Sequence, residues 1–383
     1  MATVRVGGHI TLLFSIHDDA LLPRNQGSRG AGLSLEKGVR VSLRETGRTT
    51  AIEEGQEMAG WDQDIPSVQV KGETTLNVHP FDDGEDHNKA MYSDLIDELR
   101  QARLLPFDAN YSVEVEIELP LSQGFGMSAA GLCALALACY ETSKKGTIPQ
   151  YFRAAHHIER RYSGGLGDVL GLYVGGVELR THPGSPPSPG VARSFDLDTP
   201  VLLVWQSGES KHTSEYINHP EWKPNITRAG DDAVDRLAAQ EWSPSIWNEL
   251  LQESQSFGRT SKMLEEPTRQ SMLKAVQSAI NELDLQARTR ARLCMLGTSC
   301  VLLPAKINQP FDEEDLRNLS ERLQSMELES LITRIAPTRA FSGLFSNFER
   351  SSGPESNIVT PDMYRFSEKP CRKTIAPLPH SSM

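Results

Sequence analysis

A glycine-dense turn directly before an apolar run constrains most strongly what this chain can fold into. The segment, residues 119–138, reads LPLSQGFGMSAAGLCALALA. Gly124 and Gly126 can adopt backbone conformations closed to other residues, and the small apolar residues after them predict a buried helix. Such a turn is typical of a phosphate site at a helix N-terminus, or of a plain tight corner leading into a core helix.

Residues 124–129 fit the dinucleotide-binding pattern G-x-G-x-x-[GA], but the residues before them do not. That pattern follows a strand buried on both faces, which is continuously apolar. Here the preceding strand carries Glu114, Glu116 and Glu118 on one face, and Pro120 interrupts it. We therefore predict a half-exposed antiparallel strand, and a nicotinamide-dependent oxidoreductase is disfavoured.

The turn still has the properties that a phosphate site needs. The sequence has neither the pattern G-x-x-x-x-G-K-[ST] nor the protein-kinase catalytic signature. Consecutive glycines nevertheless let the backbone approach a polyphosphate, and the following helix points free N–H groups and its positive dipole end at an anion. Ser128 can offer its hydroxyl to a phosphate or to Mg²⁺. The alternative is that Ser128 only caps the helix.

Charge and cysteine content narrow the class of protein further. The 383 residues include 51 acidic and 39 basic side chains, a net charge of −12, which disfavours nucleic-acid binding. An anionic substrate would then depend on a few local cations. The number of cysteines is odd and no C-x-x-C pair occurs, so we predict reduced, buried thiols. The cysteines are Cys133, Cys139, Cys294, Cys300 and Cys371.

We predict a cytoplasmic protein of two domains without a membrane segment. The N-terminus has no signal-peptide pattern, and the longest apolar run is too short to span a bilayer. Residues 181–190, THPGSPPSPG, form a candidate boundary between domains at 1–185 and 186–350. From 351 to 383 the chain is rich in Ser and Pro, which predicts a disordered tail. Residues 53–86 form a long acidic segment without an assigned role.

Four segments in order resemble the GHMP kinases, the superfamily of galactokinase, homoserine kinase and mevalonate kinase. The loop at Pro120–Ala130 resembles their nucleotide loop, and its GFGMS version is similar to that of archaeal pantoate kinases. Residues 8–11 resemble the family's P-G-H-I-T segment, although Gly7 replaces the proline. Residues 27–39, GSRGAGLSLEKGV, and 165–180, GLGDVLGLYVGGVELR, resemble two further family segments. The resemblance covers residues 6 to about 182.

This resemblance implies an α+β fold of the two-domain GHMP-kinase type, with the nucleotide and substrate in a cleft between the domains. It implies ATP and Mg²⁺ as cofactors, with Ser128 and Glu159 as metal-binding and catalytic residues. Without the loop, Glu159 would be read as a solvated helix carboxylate paired with an arginine. The residues implied to bind the nucleotide are Pro120, Gly124, Phe125, Gly126, Met127, Ser128, Ala129 and Ala130.

By resemblance, Asp168 lies where related kinases keep an aspartate near the attacking hydroxyl. The alternative is that Asp168 caps a short helix. A carboxylate substrate needs a cation, and Arg29 is the first candidate, with Ser28 and His9 as polar neighbours and Arg180 as the second cation. Taken alone, each arginine would be a surface residue.

Together these features predict ATP-dependent phosphorylation of (R)-pantoate at its primary hydroxyl, giving 4-phosphopantoate for coenzyme A biosynthesis. The alternatives are a GHMP kinase for homoserine, mevalonate or shikimate, and a catalytically silent GHMP-fold protein that senses a metabolite. The expected partners are pantoate and ATP, and the resemblance is compatible with a homodimer.

Overall fold

The computed structural model describes residues 1–49, 70–81, 89–208, 222–295 and 297–338. Within these ranges ten strands form two sheets. The strands are β1 (Ala2–Phe14), β2 (Gly30–Arg48), β3 (Thr74–His79), β4 (Ala109–Ile117), β5 (Val177–His182), β6 (Val191–Phe195), β7 (Pro200–Trp205), β8 (Thr289–Leu293), β9 (Ser299–Pro304) and β10 (Glu329–Arg334). The helices are α1 (Ala90–Gln101), α2 (Met127–Ser143), α3 (Ile148–Arg161), α4 (Asp168–Val174), α5 (Trp222–Ala238), α6 (Trp247–Thr260), α7 (Pro267–Glu282) and α8 (Glu313–Gln324).

The long strand β2 organises the first sheet. It pairs antiparallel with β1, with β4 through residues 39–48 and with β5 through residues 30–33. Strand β3 runs parallel to β4, and β6 is antiparallel to β5. On β4, Val113, Val115 and Ile117 are buried, whereas Glu116 is exposed. The predicted antiparallel strand with one wet face is therefore confirmed.

The second sheet has the antiparallel order β10-β7-β9-β8. Both sheets carry helices, so the predicted α+β class is confirmed. Strand β6 follows the proline-rich segment and still belongs to the first sheet. The division at residue 185 stays a prediction. The tail at 351–383 and most of the acidic segment at 53–86 lie outside the described residues.

Helix α2 lies in the core beside β1 and β2. Every residue from Ala129 to Cys139 is buried, because small and apolar side chains surround the helix on all sides. No helix in the described ranges is both long and apolar enough to cross a membrane. Four cysteines are free and buried, Cys133, Cys139, Cys294 and Cys300, while Cys371 lies outside the described residues.

Candidate active site

The glycine turn is held between β1 and the connection from β8 to β9. The His9 N–H donates to the Phe125 carbonyl at 2.9 Å, and the Ser299 hydroxyl donates to the Gln123 carbonyl. A methyl group on Gly124 would lie 2.8 Å from the Met295 carbonyl oxygen. Gly124 also has a φ of +75°, so both its backbone conformation and its surroundings require glycine.

Exposure alternates along the turn. Phe125 and Met127 are buried, whereas Gly124, Gly126 and Ser128 are partly exposed. The Phe125 ring packs edge-on against Trp205, with 6.0 Å between ring centroids. Two of the residues predicted to bind a nucleotide thus place their side chains in the core, and only their backbone is available to a ligand.

Helix α2 begins at Met127, with Gly126 as its N-cap residue in a left-handed conformation. Its first N–H groups have no intrahelical acceptor, as at every helix N-terminus, and the Ala130 N–H donates to the Gly126 carbonyl at 2.9 Å. Ser128 is therefore not the cap, and its partly exposed hydroxyl lies in the first turn. The predicted helix start directly after the glycine turn is present in the structure.

Glu159 comes from the last turn of α3 and is buried. A methyl group on Gly165 would lie 1.9 Å from Asp168 Oδ2 and 2.8 Å from Glu159 Oε1, so the two carboxylates face the same small space. Burial and the charge of Asp168 raise the pKa of Glu159 well above its usual value, against the influence of Arg160 and two backbone N–H groups. The free protein therefore favours a protonated Glu159.

Glu159 Oε2 is buried without a hydrogen-bond partner. No group of three or more His, Cys, Asp or Glu side chains in the described ranges is arranged to hold a metal ion. Mg²⁺ commonly takes only one or two protein oxygens beside phosphate oxygens and water. The orphaned Glu159 oxygen and the free Ser128 hydroxyl fit that donor set, and a nearby divalent cation would favour the ionised carboxylate.

Asp168 is the first residue of α4, and its side chain turns toward β1. Its Oδ1 lies 2.6 Å from His9 Nδ1 and 3.5 Å from the Thr11 hydroxyl. Burial alone would raise the pKa of Asp168, but the bonds and charges of His9, the charge of Arg180 and the Thr11 hydroxyl together lower it. Gly167 is the N-cap residue, so Asp168 does not have the capping role considered above. Asp168 is an ionised, 20% exposed carboxylate beside a protonated one.

His9 is fully buried, and its other ring nitrogen, Nε2, lies 3.0 Å from Glu178 Oε1. Burial lowers the pKa of His9, yet the two carboxylates more than offset that effect and raise it. Glu178 also accepts a short bond from Arg180 Nη1. His9 and Arg180 thus share one buried carboxylate.

Arg180 is fully buried on β5, with its Nε and Nη2 lacking hydrogen-bond partners. A methyl group on Gly167 would lie 2.5 Å from Arg180 Nε and 2.3 Å from the Ser28 hydroxyl oxygen. Ser28, Arg180 and the turn before Asp168 are therefore neighbours. The two donors lack partners among the described residues but are buried, so a carboxylate could pair with them only if the turn at Gly167 moved.

Arg29 has its donors engaged elsewhere. Its Nε donates to the Thr181 carbonyl at 3.1 Å, its Nη1 to Asp231 at 3.0 Å, and its Nη2 to Asp235 through a short bond. Both aspartates are on α5. The structure thus brings His9, Ser28, Asp168 and Arg180 together but ties Arg29 to α5.

Sequence reasoning missed Glu178 and Thr11, which complete the bonding of His9 and Asp168. A signal for Glu178 was present, because Glu178 and Arg180 are two residues apart on one strand and therefore share a face.

Neither histidine of α3 joins this group: His156 Nε2 contacts the Pro23 carbonyl at 3.2 Å, and His157 contacts Glu98 at 2.6 Å.

Comparison with known proteins bears on the fold. Residues 89–176 match the family described as GHMP kinases N terminal domain. A solved structure titled "Phosphotransferase related to CoA biosynthesis pathway" is similar over 87% of this chain and 95% of its own length, with 22% identity and a TM-score of 0.63. The fold and the site thus define the class: the described chain has the GHMP-kinase fold.

Within that class, the chain is similar in sequence to curated archaeal pantoate kinases. The pantoate kinase of Thermococcus kodakarensis is 30% identical over 52% of this chain, and that of Methanocaldococcus jannaschii is 25% identical over 60%. The similar regions cover 58% and 71% of those relatives. The chain therefore spans less than two thirds of the first relative's length.

Proposed function

We propose that this protein transfers the γ-phosphoryl group of ATP to the primary hydroxyl of (R)-pantoate, giving 4-phosphopantoate and ADP for coenzyme A biosynthesis. The observation that carries the proposal is the ionised Asp168 carboxylate, held by His9 beside the glycine turn and next to the unsatisfied donors of Arg180. Similarity to pantoate kinases supports the choice of substrate. We expect the reaction to occur in the cytoplasm.

The nucleotide would bind at the glycine turn, residues 120–130. The backbone of Gly124 and Gly126 and the first N–H groups of α2 would contact the phosphates, because both glycines lack side chains that would block the approach. Ser128 and Glu159 would hold Mg²⁺, which would neutralise charge on the phosphates when bound.

The substrate carboxylate would bind the unpartnered Nε and Nη2 donors of Arg180, with Ser28 as a polar neighbour, and because both side chains are buried it would reach them only after the turn at Gly167 moves. Arg29 could contribute only after releasing Asp231 and Asp235, so we assign it the secondary role. The pantoate hydroxyl oxygen forms a new bond to the γ-phosphorus while the bond from that phosphorus to the β,γ-bridging oxygen breaks. Asp168 orients the hydroxyl and accepts its proton, and ADP leaves.

The test is a coupled ADP-release assay with ATP and Mg²⁺ on pantoate, homoserine, mevalonate and shikimate, followed by phosphorus NMR of the product. We expect turnover with pantoate alone and phosphate on the primary hydroxyl. Turnover with another acid would retain the kinase and overturn the pantoate assignment. ATP binding without turnover on any of the four acids would favour the metabolite sensor.

A further inference from the structure

His9 occupies a cage formed by three glycines from three distant parts of the chain. A methyl group on Gly171 would lie 2.4 Å from His9 Nε2, and one on Gly32 would lie 2.8 Å from the same atom. A methyl group on Gly126 would lie 3.1 Å from the His9 Cβ. The residue is 0% exposed, so its ring meets no ligand directly and can act only through its neighbours.

Both ring nitrogens of His9 face carboxylate oxygens. Nδ1 lies 2.6 Å from Asp168 Oδ1, and Nε2 lies 3.0 Å from Glu178 Oε1. An ionised Asp168 can only accept, so Nδ1 carries the proton of that bond, while Nε2 also lies 3.4 Å from Arg180 Nη1. The His9 backbone N–H, in turn, supports the glycine turn at Phe125. One residue therefore connects the phosphate loop to the proposed base.

We propose that His9 is the positioning residue of Asp168, and that its Nδ1–H fixes Oδ1 so that Oδ2 stays directed toward the substrate hydroxyl. Oδ2 is the Asp168 oxygen next to Gly165 and Glu159. The bond to Glu178 has a different task, which is to anchor the far side of the ring in the buried sheet. This inference rests on the proposed function, because it assigns His9 a role in the same phosphoryl transfer.

Two variants separate the two bonds. In His9→Asn the amide nitrogen replaces Nδ1 and can still donate to Asp168, whereas in His9→Gln it replaces Nε2 and can donate only to Glu178. We expect His9→Asn to keep kcat within about tenfold of the wild type and His9→Gln to lose about 100-fold, since small misplacements of a catalytic group have effects of that size. The KM values for ATP and pantoate should change little in either variant.

Equal kcat values for the two variants, or a higher value for His9→Gln, would overturn the inference. Combining His9→Gln with Asp168→Asn gives a second test: if His9 acts through Asp168, the double variant is no slower than Asp168→Asn alone. Additive losses would mean that His9 has only a structural role. Thermal unfolding of each variant shows whether lost activity reflects lost structure.

If neither His9 variant folds, the inference is tested by nitrogen-15 NMR of the wild-type protein with labelled histidine rings. We expect Nδ1 of His9 to carry a proton, and Asp168→Asn to shift that Nδ1 resonance among those of the ten histidines. A His9 ring with a bare Nδ1 would overturn the inference. An inactive wild type would instead count against the proposed function, so the two failures are distinguishable.

Discussion

At the scale of single residues, two neighbouring carboxyl groups acquire opposite charge states from their surroundings. Glu159 is buried, has an orphaned oxygen, and is destabilised as an anion by the charge of Asp168. Asp168 is also desolvated, but the His9 ring and the Thr11 hydroxyl contact it directly and lower its pKa. Asp168 is therefore the ionised group that can accept a proton from a hydroxyl. Glu159 is the protonated group that a bound cation would ionise.

The first prediction concerns Asp168→Asn. The amide cannot accept the hydroxyl proton, so turnover should fall by about 10²- to 10⁴-fold, the usual range for losing a general base. The affinity for ATP should stay close to that of the wild type, because within the described residues the Asp168 side chain bonds to His9 and Thr11 and not to the glycine turn. Calorimetry of ATP binding and steady-state kinetics measure the two effects. Unchanged turnover would remove Asp168 from the mechanism.

The second prediction concerns His156, whose pKa burial lowers to about 4. The unfolded chain takes up a proton near pH 6.5 while the folded chain does not, so this residue costs stability as the pH falls from about 6.5 to 4. His156→Gln keeps an amide donor for Pro23 and cannot titrate. Its stability relative to wild type should therefore rise on acidification, by up to about 3 kcal/mol at pH 4.

Urea unfolding at several pH values measures that difference. The control is His157→Gln at the neighbouring position, where the side chain is 40% exposed and bonded to Glu98. It should not reproduce the gain in acid. A His156→Gln curve parallel to that of the wild type would show that His156 is not buried in its neutral form.

At the scale of elements, the glycine turn depends on a connection that lies about 170 residues further along the chain. A methyl group on Gly297 would lie 2.3 Å from the Gln123 carbonyl, so the β8–β9 connection packs directly on the turn. Buried Arg269 on α7 supports that connection by donating from Nε to the Gly297 carbonyl at 3.0 Å. The shape of the nucleotide loop is thus set partly by α7.

The third prediction follows from this contact. Arg269→Gln should weaken ATP binding by about tenfold. It removes the bond to the Gly297 carbonyl and the ion pair of Nη1 with Glu266 at 3.0 Å. A lost buried hydrogen bond costs about 1–3 kcal/mol, and here it loosens the support of the turn. The turnover at saturating ATP should change much less. Calorimetry with ATP alone, without pantoate, measures the loss.

The matched control for Arg269 is Arg292→Gln. Arg292 is a buried arginine that also donates to a carbonyl, that of Leu251 at 2.8 Å, on α6. This variant should lose stability while keeping the wild-type affinity for ATP. Equal effects of the two variants on ATP affinity would mean that Arg269 contributes only to general stability.

Local patterns made most elements predictable. The spacing of Met91, Leu95 and Leu99 predicts α1, and the alternation of valine and glutamate predicts β4 with its exposed face. The packing of Met295, Gly297 and Ser299 on the turn could not be predicted, because it depends on how two sheets meet. For the same reason the sequence marked Arg29 as the leading cation, whereas the structure engages it with α5 and leaves donors unpartnered on Arg180.

At the scale of the whole molecule, the two sheets share contacts that cross the predicted boundary. Ala336 N–H donates to the Ser34 carbonyl at 2.8 Å, and Met295 N–H donates to the Thr11 carbonyl at 3.1 Å. Trp242 donates to the Val177 carbonyl at 3.0 Å. These bonds connect β2, β1 and β5 of the first sheet with elements of the second half, so opening one half exposes groups of the other.

The fourth prediction is a single cooperative unfolding transition for the full chain. Four of the five tryptophans lie in the second half: Trp205, Trp222, Trp242 and Trp247. In a Trp61→Phe background, which removes the fifth, fluorescence therefore reports that half, whereas far-ultraviolet circular dichroism reports the helices of both. The two midpoints in guanidinium chloride should coincide because the halves share contacts. Two separate midpoints would instead support independent domains at 1–185 and 186–350.

Because exposure alternates along residues 124–129, one short segment has to satisfy both core packing and ligand contact. The buried residues of this segment, which pack in the interior, are Phe125, Met127 and Ala129. The partly exposed residues, which a ligand can contact, are Gly124, Gly126 and Ser128. Replacing one of the buried residues by another hydrophobic residue can therefore change the rigidity of the turn without changing the groups that it exposes. Gly124 and Gly126 do not allow such exchanges, because their positive φ angles and tight packing require glycine, which leaves Ser128 as the partly exposed position where the contact chemistry of the turn can be changed.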